Sequence, residues 1–245
     1  MKDDSIKIEI ENEEKIENTE VKGENDMESE NKTVVNDFGN EKLENLRFEN
    51  EEADIFFILD RSGSMYGSET DTINGFNAFI EKQMAKNHNI KVTTVLFDSN
   101  YEVLYSRKPI DEVKPLTSED YYVRGSTALL DAIGKTVTSF DRKVNKGMFI
   151  INTDGLENAS REFSRGQIKD MVENSGFEFI FIGADIDSYA EASKIGINRS
   201  HVANYSKTSQ GIGDLYDSVD QLATMFCKEQ KLDLVKNNSW KEKLD

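Results

Sequence analysis

The chain has 245 residues, room for one large domain or a domain with an appendage at about 150 residues per domain. Its 47 acidic against 30 basic side chains leave a formal net charge of −17, which argues against nucleic acid, whose phosphates need a basic surface. A lone cysteine, Cys227, excludes an internal disulfide framework and a cysteine-rich metal site, and the longest apolar run, Ile55–Leu59, falls far short of the roughly 20 residues that span a bilayer.

The charge is unevenly spread. Residues 1–50 carry 16 acidic and 7 basic side chains, few large apolar groups and no sustained helical or strand period. Such a segment cannot bury enough surface to offset its chain entropy, so a disordered acidic extension is expected over 1–50. The first residues turn acidic at Asp3 and lack the basic start and apolar core of a secretion signal. A cytoplasmic protein is the expectation.

From Asp54 the pattern changes. Ile55–Leu59 is a short continuous apolar run, as expected of a strand covered on both faces. Asn74–Lys86 follows with Phe76, Phe79, Ile80 and Met84 at helical spacing. Lys91–Phe97 is β-branched and strand-like, and Tyr101–Tyr105 comes only three residues later, too soon for a crossover helix. These two strands should form an antiparallel hairpin at a sheet edge.

A loop with Pro109 and Pro115 leads to a second helix carrying Leu130, Ile133, Val137 and Phe140 on one face. Next come strand Met148–Ile151 and a helix through Ile168, Met171 and Val172, with Ser164 and Gln167 spaced as its capping box. Strand Phe177–Ile182 precedes a short helix entered at Asp187 and a short strand near His201–Asn204. A last helix places Leu215, Val219, Leu222 and Phe226 on one stripe. Strands alternating with helices predict an α/β fold: a doubly wound, mostly parallel sheet with helices on both faces and one antiparallel edge strand. The domain is expected over 51–232, with a polar tail over 233–245, where Trp240 either docks back or hangs free.

In such sheets ligands bind beyond the carboxyl ends of the strands, where the strand order reverses. The first strand runs into Asp60-Arg-Ser62-Gly-Ser64-Met, the fourth into Asn152-Thr-Asp154-Gly, and Gly125-Ser-Thr127 opens the second helix. If the order is 3-2-1-4-5-6, all three loops meet on one rim and bring Asp60, Ser62, Ser64, Thr127 and Asp154 together. All five are hard oxygen donors, suited to Mg²⁺ or Mn²⁺. Two carboxylates nearly balance the ion's charge, and neutral hydroxyls leave it short of one more anionic oxygen.

This constellation resembles the metal-ion-dependent adhesion site, or MIDAS, of von Willebrand factor type A domains. The D-x-S-x-S motif is Asp60, Ser62 and Ser64, the second-loop threonine is Thr127, and the aspartate after the fourth strand is Asp154. The resemblance covers residues 52–205, and Phe181–Asp187 with Ile195–Ile197 is similar to the intracellular prokaryotic members. It implies that Ser62, Ser64 and Thr127 bind the metal through their hydroxyls and that Asp60 and Asp154 act directly or through water. It also implies that a partner's Glu or Asp completes the shell. The expected function is a metal-dependent protein-binding module, monomeric by itself, with a protein partner presenting an acidic side chain.

An alternative is a Mg²⁺-dependent phosphatase-like hydrolase of an α/β fold. Such enzymes need a second carboxylate two positions after the nucleophilic aspartate. That position is Ser62, a poor proton shuttle, so no catalytic activity is expected. His88 and His201 are read as surface or packing residues, Cys227 as a core or boundary thiol, and Asp187 as a helix cap. Met65 and Tyr66 either flank the metal or are exposed loop residues.

Overall fold

The computed structural model describes residues 52–244 apart from residues 87, 141–142, 230–231 and 235–237; the extension expected over 1–50 lies outside the described residues. The strands are β1 (Ala53–Asp60), β2 (Ile90–Phe97), β3 (Tyr101–Pro109), β4 (Gly147–Thr153), β5 (Glu178–Gly183) and β6 (Val202–Asn204). The helices are α1 (Glu69–Ala85), α2 (Leu129–Phe140), α3 (Arg165–Asn174), α4 (Ser188–Lys194) and α5 (Ser209–Lys228). They build one sheet in the order β3-β2-β1-β4-β5-β6, parallel throughout except for the antiparallel edge strand β3.

The all-apolar run of β1 is explained by its place at the centre, where every residue is buried. Its side chains alternate between two cores. Ile55, Phe57 and Leu59 meet α1 and α5 on one face, while Phe56 and Ile58 meet α2, α3 and α4 on the other. Phe56, Phe149 and Phe179 sit in register on β1, β4 and β5 and stack at 4.3 and 4.8 Å between ring centroids. Each such pair adds about 0.5–1.5 kcal/mol beyond the area it buries. The capping box of α3 forms as expected, with Ser164 accepting from the Gln167 backbone and the Gln167 side chain accepting from the Ser164 backbone. Asp187 caps α4 by accepting from the Ala190 N–H at 3.0 Å.

Two elements differ from the sequence expectation. On α1 the buried stripe runs through Phe76, Phe79, Ile80 and Gln83, and Met84 faces solvent. Gln83 takes the inner position because its amide donates to the Asp220 carbonyl and carboxylate on α5, which satisfies the buried polar group. Strand β3 continues past Tyr105 to Pro109 through an irregularity at Arg107, whose φ is +46°. Its N–H donates to Thr93 Oγ1, and its guanidinium clasps Asp54 at 2.7 and 3.0 Å and reaches Glu52. These contacts hold a conformation that a non-glycine residue seldom adopts.

Leu234, Trp240 and Leu244, within the stretch read as a polar tail, are buried in the α1/α5 core. Trp240 is 1% exposed and donates from Nε1 to the Ser200 carbonyl, so it docks back. Among the described residues no helix is long and apolar enough to cross a membrane.

Candidate metal centre

The strand order reverses between β1 and β4, so the loops leaving these neighbours open side by side. Leu59 pairs with Asn152, which sets Asp60 beside Thr153 and Asp154 just beyond. Thr127 comes from the loop before α2, fixed at both its polar backbone groups. Its N–H donates to Asn158 Oδ1, and its carbonyl accepts from the N–H groups of Asn158 and Ala159. Two carboxylates tie the start of α2 to the same stretch. Glu157 accepts from the backbone of Leu130, Ala159 and Ser160, and Asp131 from three successive N–H groups, Arg161 to Phe163.

The structure brings all five predicted residues together. Thr127 Oγ1 donates to Ser62 Oγ at 3.0 Å, and Ser62 Oγ lies 3.1 Å from Ser64 Oγ, so the three hydroxyls form a linked row. Asp60 Oδ1 accepts from the Ser62 N–H at 2.6 Å, and Oδ2 accepts from the Thr153 hydroxyl at 2.5 Å. Asp60, Ser62, Thr127 and Asp154 are buried and Ser64 is exposed, which leaves the row open to solvent at one end. Of the two residues after Ser64, Met65 is fully buried and Tyr66 is 82% exposed.

Burial raises the Asp60 pKa to about 6, against the hydrogen bonds from Thr153 and Ser62, and the nearby Asp154 charge raises it further. Asp154 is the less satisfied carboxylate. Neither of its oxygens accepts a well-directed hydrogen bond, although Lys207 Nζ stands 2.6 Å from Oδ2. Two carboxylates, Asp60 and Asp154, share a buried corner with the single positive charge of Lys207, a net negative setting that a divalent cation relieves. The residues therefore fit a hard divalent ion. Among the described residues no cluster of three or more His, Cys, Asp or Glu side chains offers another metal site.

Several residues besides the five oxygen donors hold this centre. Thr153, inside the Asn152–Gly155 turn, orients Asp60. The Tyr121 hydroxyl donates to the Asp60 carbonyl at 2.5 Å from a separate loop. Arg61, the second residue of the D-x-S-x-S motif, is buried and pairs with Asp98 and Glu102, and Arg124 joins it on Asp98. Lys207 arrives from a fourth loop, after β6, and no local motif marks it. Gly155 is required by close approach: a Cβ there would fall well inside contact distance of Thr127 Oγ1 and 3.1 Å from Ser64 Oγ. Gly155→Ala is expected to cost about 1–3 kcal/mol of stability by overpacking and to push the β4 loop off the hydroxyl row. Denaturant unfolding reads the first effect and loss of Mn²⁺ binding the second.

The fold is a Rossmann-like α/β fold of the von Willebrand factor type A kind. No protein-family model matches the sequence, and no curated protein matches it. Among solved structures the chain is similar to proximal thread matrix protein 1 from the mussel byssus, in a structure whose MIDAS motif is occupied by zinc. That match has 20% identity and a TM-score of 0.54, and covers 71% of this chain and 46% of that one. It is also similar to the vWF domain of the type V pili tip protein Mfa5 from Porphyromonas gingivalis, at 11% identity and a TM-score of 0.55 over 75% and 98% of the two chains. The PilB minor pilin from Streptococcus sanguinis matches at 11% identity and a TM-score of 0.55, over 71% and 61%. The chain thus spans about half the length of the byssus protein, and at these identities the likeness is one of fold.

Proposed function

We propose that this chain is a divalent-metal-dependent protein-binding module. Ser62, Ser64 and Thr127 would hold Mg²⁺ or Mn²⁺ through their hydroxyls, with Asp60 and Asp154 supplying the compensating charge. The observation that carries the reading is the convergence of these five oxygen-bearing side chains, from three loops, on one rim with one solvent-facing end. The bound ion would supply a positive centre for an anionic oxygen, and a partner's Glu or Asp is the ligand we assign to it. The chain's own −17 charge opposes an acidic partner at long range, but screening limits this beyond about 8 Å at physiological salt. At contact the ion is the dominant local charge. The zinc-occupied MIDAS of the byssus protein supports a metal at the equivalent place in this fold.

Catalysis is outside this reading. The group two positions after Asp60 is the Ser62 hydroxyl, linked to Thr127 and Ser64, and the Lys207 ammonium is engaged with Asp154.

Calorimetric titration of the full chain with MnCl₂ and MgCl₂ tests the proposal. One saturable site is expected in wild type, and Thr127→Ala should weaken it by at least about tenfold while leaving a folded domain, because one hydroxyl ligand is gone and a buried methyl-sized change is tolerated. Binding that is unchanged in Thr127→Ala would place the metal elsewhere and end this reading.

A further inference from the structure

Asp154 is faced by an unusual neighbour. Lys207, in the loop between β6 and α5, places Nζ 2.6 Å from Asp154 Oδ2, donates to the Ser64 carbonyl at 2.7 Å, and lies 3.5 Å from Asp185 Oδ2. A single ammonium thus touches the loop after β1 and the loop after β4, the two that carry four of the five metal-type residues. Its side chain is 22% exposed, and Ser206 and Thr208 on either side face solvent. Asp185, which adds the third oxygen, is held two residues past the end of β5 at φ +55°, a backbone region in which non-glycine residues are uncommon.

We infer that Lys207 is a tethered cation that competes with the divalent ion for Asp154 and so sets the metal affinity of the site. The inference rests on the metal-binding reading above. In the metal-free protein the ammonium neutralises a carboxylate that is buried and has no well-directed hydrogen bond of its own. A divalent ion drawn to the same carboxylate meets a fixed positive charge a few ångströms away, and like charges this close in a partly buried corner repel strongly. The ammonium is a compact, strongly hydrated charge on a flexible four-carbon stem. Swinging out from a surface loop into water therefore needs no unfolding. Metal binding and release of Lys207 are then one exchange: a divalent ion enters, an ammonium leaves, and the charge facing Asp60 and Asp154 rises by one unit.

The exchange makes an unusual demand on the substitution. Removing a partner from a buried ion pair normally only weakens a protein. Here Lys207→Met should lower the melting temperature in EDTA and at the same time raise the affinity for Mn²⁺ and Mg²⁺, by about tenfold or more. The metal-induced rise in melting temperature should exceed that of wild type. Lys207→Arg, which keeps the charge, should stay within a few-fold of wild type in affinity. Should Lys207→Met fail to fold, Lys207→Gln removes the charge, can still donate to the Ser64 carbonyl, and reads the same shift.

The experiment is calorimetric titration of the full chain with MnCl₂ and MgCl₂, paired with melts in EDTA and in saturating metal, on wild type, the Lys207 variants and Lys207→Met/Thr127→Ala. Tighter binding in Lys207→Met that disappears in the double variant supports the exchange at this site. Equal or weaker binding in Lys207→Met, with wild type still binding, makes Lys207 a support of Asp154 and overturns the inference while the metal site stands. No binding in wild type or in Lys207→Met overturns both. A gain that survives in the double variant belongs to another site and also overturns it.

Discussion

In the absence of metal, Asp60→Asn is expected to be more stable than wild type at pH 8, by about 3 kcal/mol, with the difference closing as the pH falls to 4. The Asp60 pKa rises from an ordinary 3.8 to about 6 because burial, and then the Asp154 charge, disfavour the ionised form more than the Thr153 and Ser62 hydrogen bonds favour it. Between these two values the folded protein holds a proton that the unfolded chain has released. Wild-type stability from this group is therefore fully present below pH 4 and is lost as the pH rises through about 6. The amide lacks the charge and so lacks the loss. Urea unfolding of both proteins across pH 4–8 in EDTA measures the difference directly, and a constant gap or a gap that widens on acidification would refute the assignment. With saturating Mn²⁺ the order should reverse at pH 8, because the ion stabilises the carboxylate that burial penalises, and the amide supplies no compensating charge.

Arg61→Ala is expected to cost about 3–5 kcal/mol, the largest loss of any substitution considered, although it removes no metal-type oxygen. Arg61 is wholly buried; its Nε donates to Asp98 Oδ2 at 3.0 Å, its Nη2 to Glu102 at 2.6 Å and its Nη1 to the Asp120 carbonyl at 3.4 Å. Its own backbone bridges Phe97 and Arg124. Asp98 is buried too, and despite that burial the bonds from Arg124, Asn100 and Arg61 hold its carboxyl below the usual range. Truncation strips Asp98 of one cation and opens a side-chain-sized gap beneath the D-x-S-x-S loop. Denaturant unfolding should show the loss, and Mn²⁺ affinity should fall with it, since the D-x-S-x-S loop is anchored through this residue. A variant that kept wild-type stability would mean that Arg124 alone satisfies Asp98.

The arrangement of layers was readable in advance because local patterns carry it. Ile55–Leu59 had no polar side and was too short for a helix, so a strand covered on both faces was the remaining solution, and β1 is that strand. The three-residue gap before Tyr101 left room only for a hairpin, and β3 is antiparallel at the edge. Where periodicity failed, a polar residue had found a partner far along the chain. Gln83 displaced Met84 from the inner face of α1 because Asp220 on α5 could accept from it. Trp240 gave no local sign of its position, which depends on the Ser200 carbonyl and on the α1/α5 core.

For the candidate centre, the oxygen donors themselves were legible: Asp60, Ser62, Ser64, Thr127 and Asp154 stand at strand ends and a helix start, and the chemistry of each is intrinsic to its side chain. The element order, most of the covered faces and the inventory of donors on the rim thus follow from short-range spacing and residue type. What surrounds those donors comes from long-range packing: Thr153 on Asp60, the Arg61–Asp98 pair beneath the loop, the bare flank of Gly155 against Thr127, and the Lys207 ammonium on Asp154. These contacts join segments tens of residues apart, and their strength comes from burial and distance. Neither exists until the strands have paired and the loops have met.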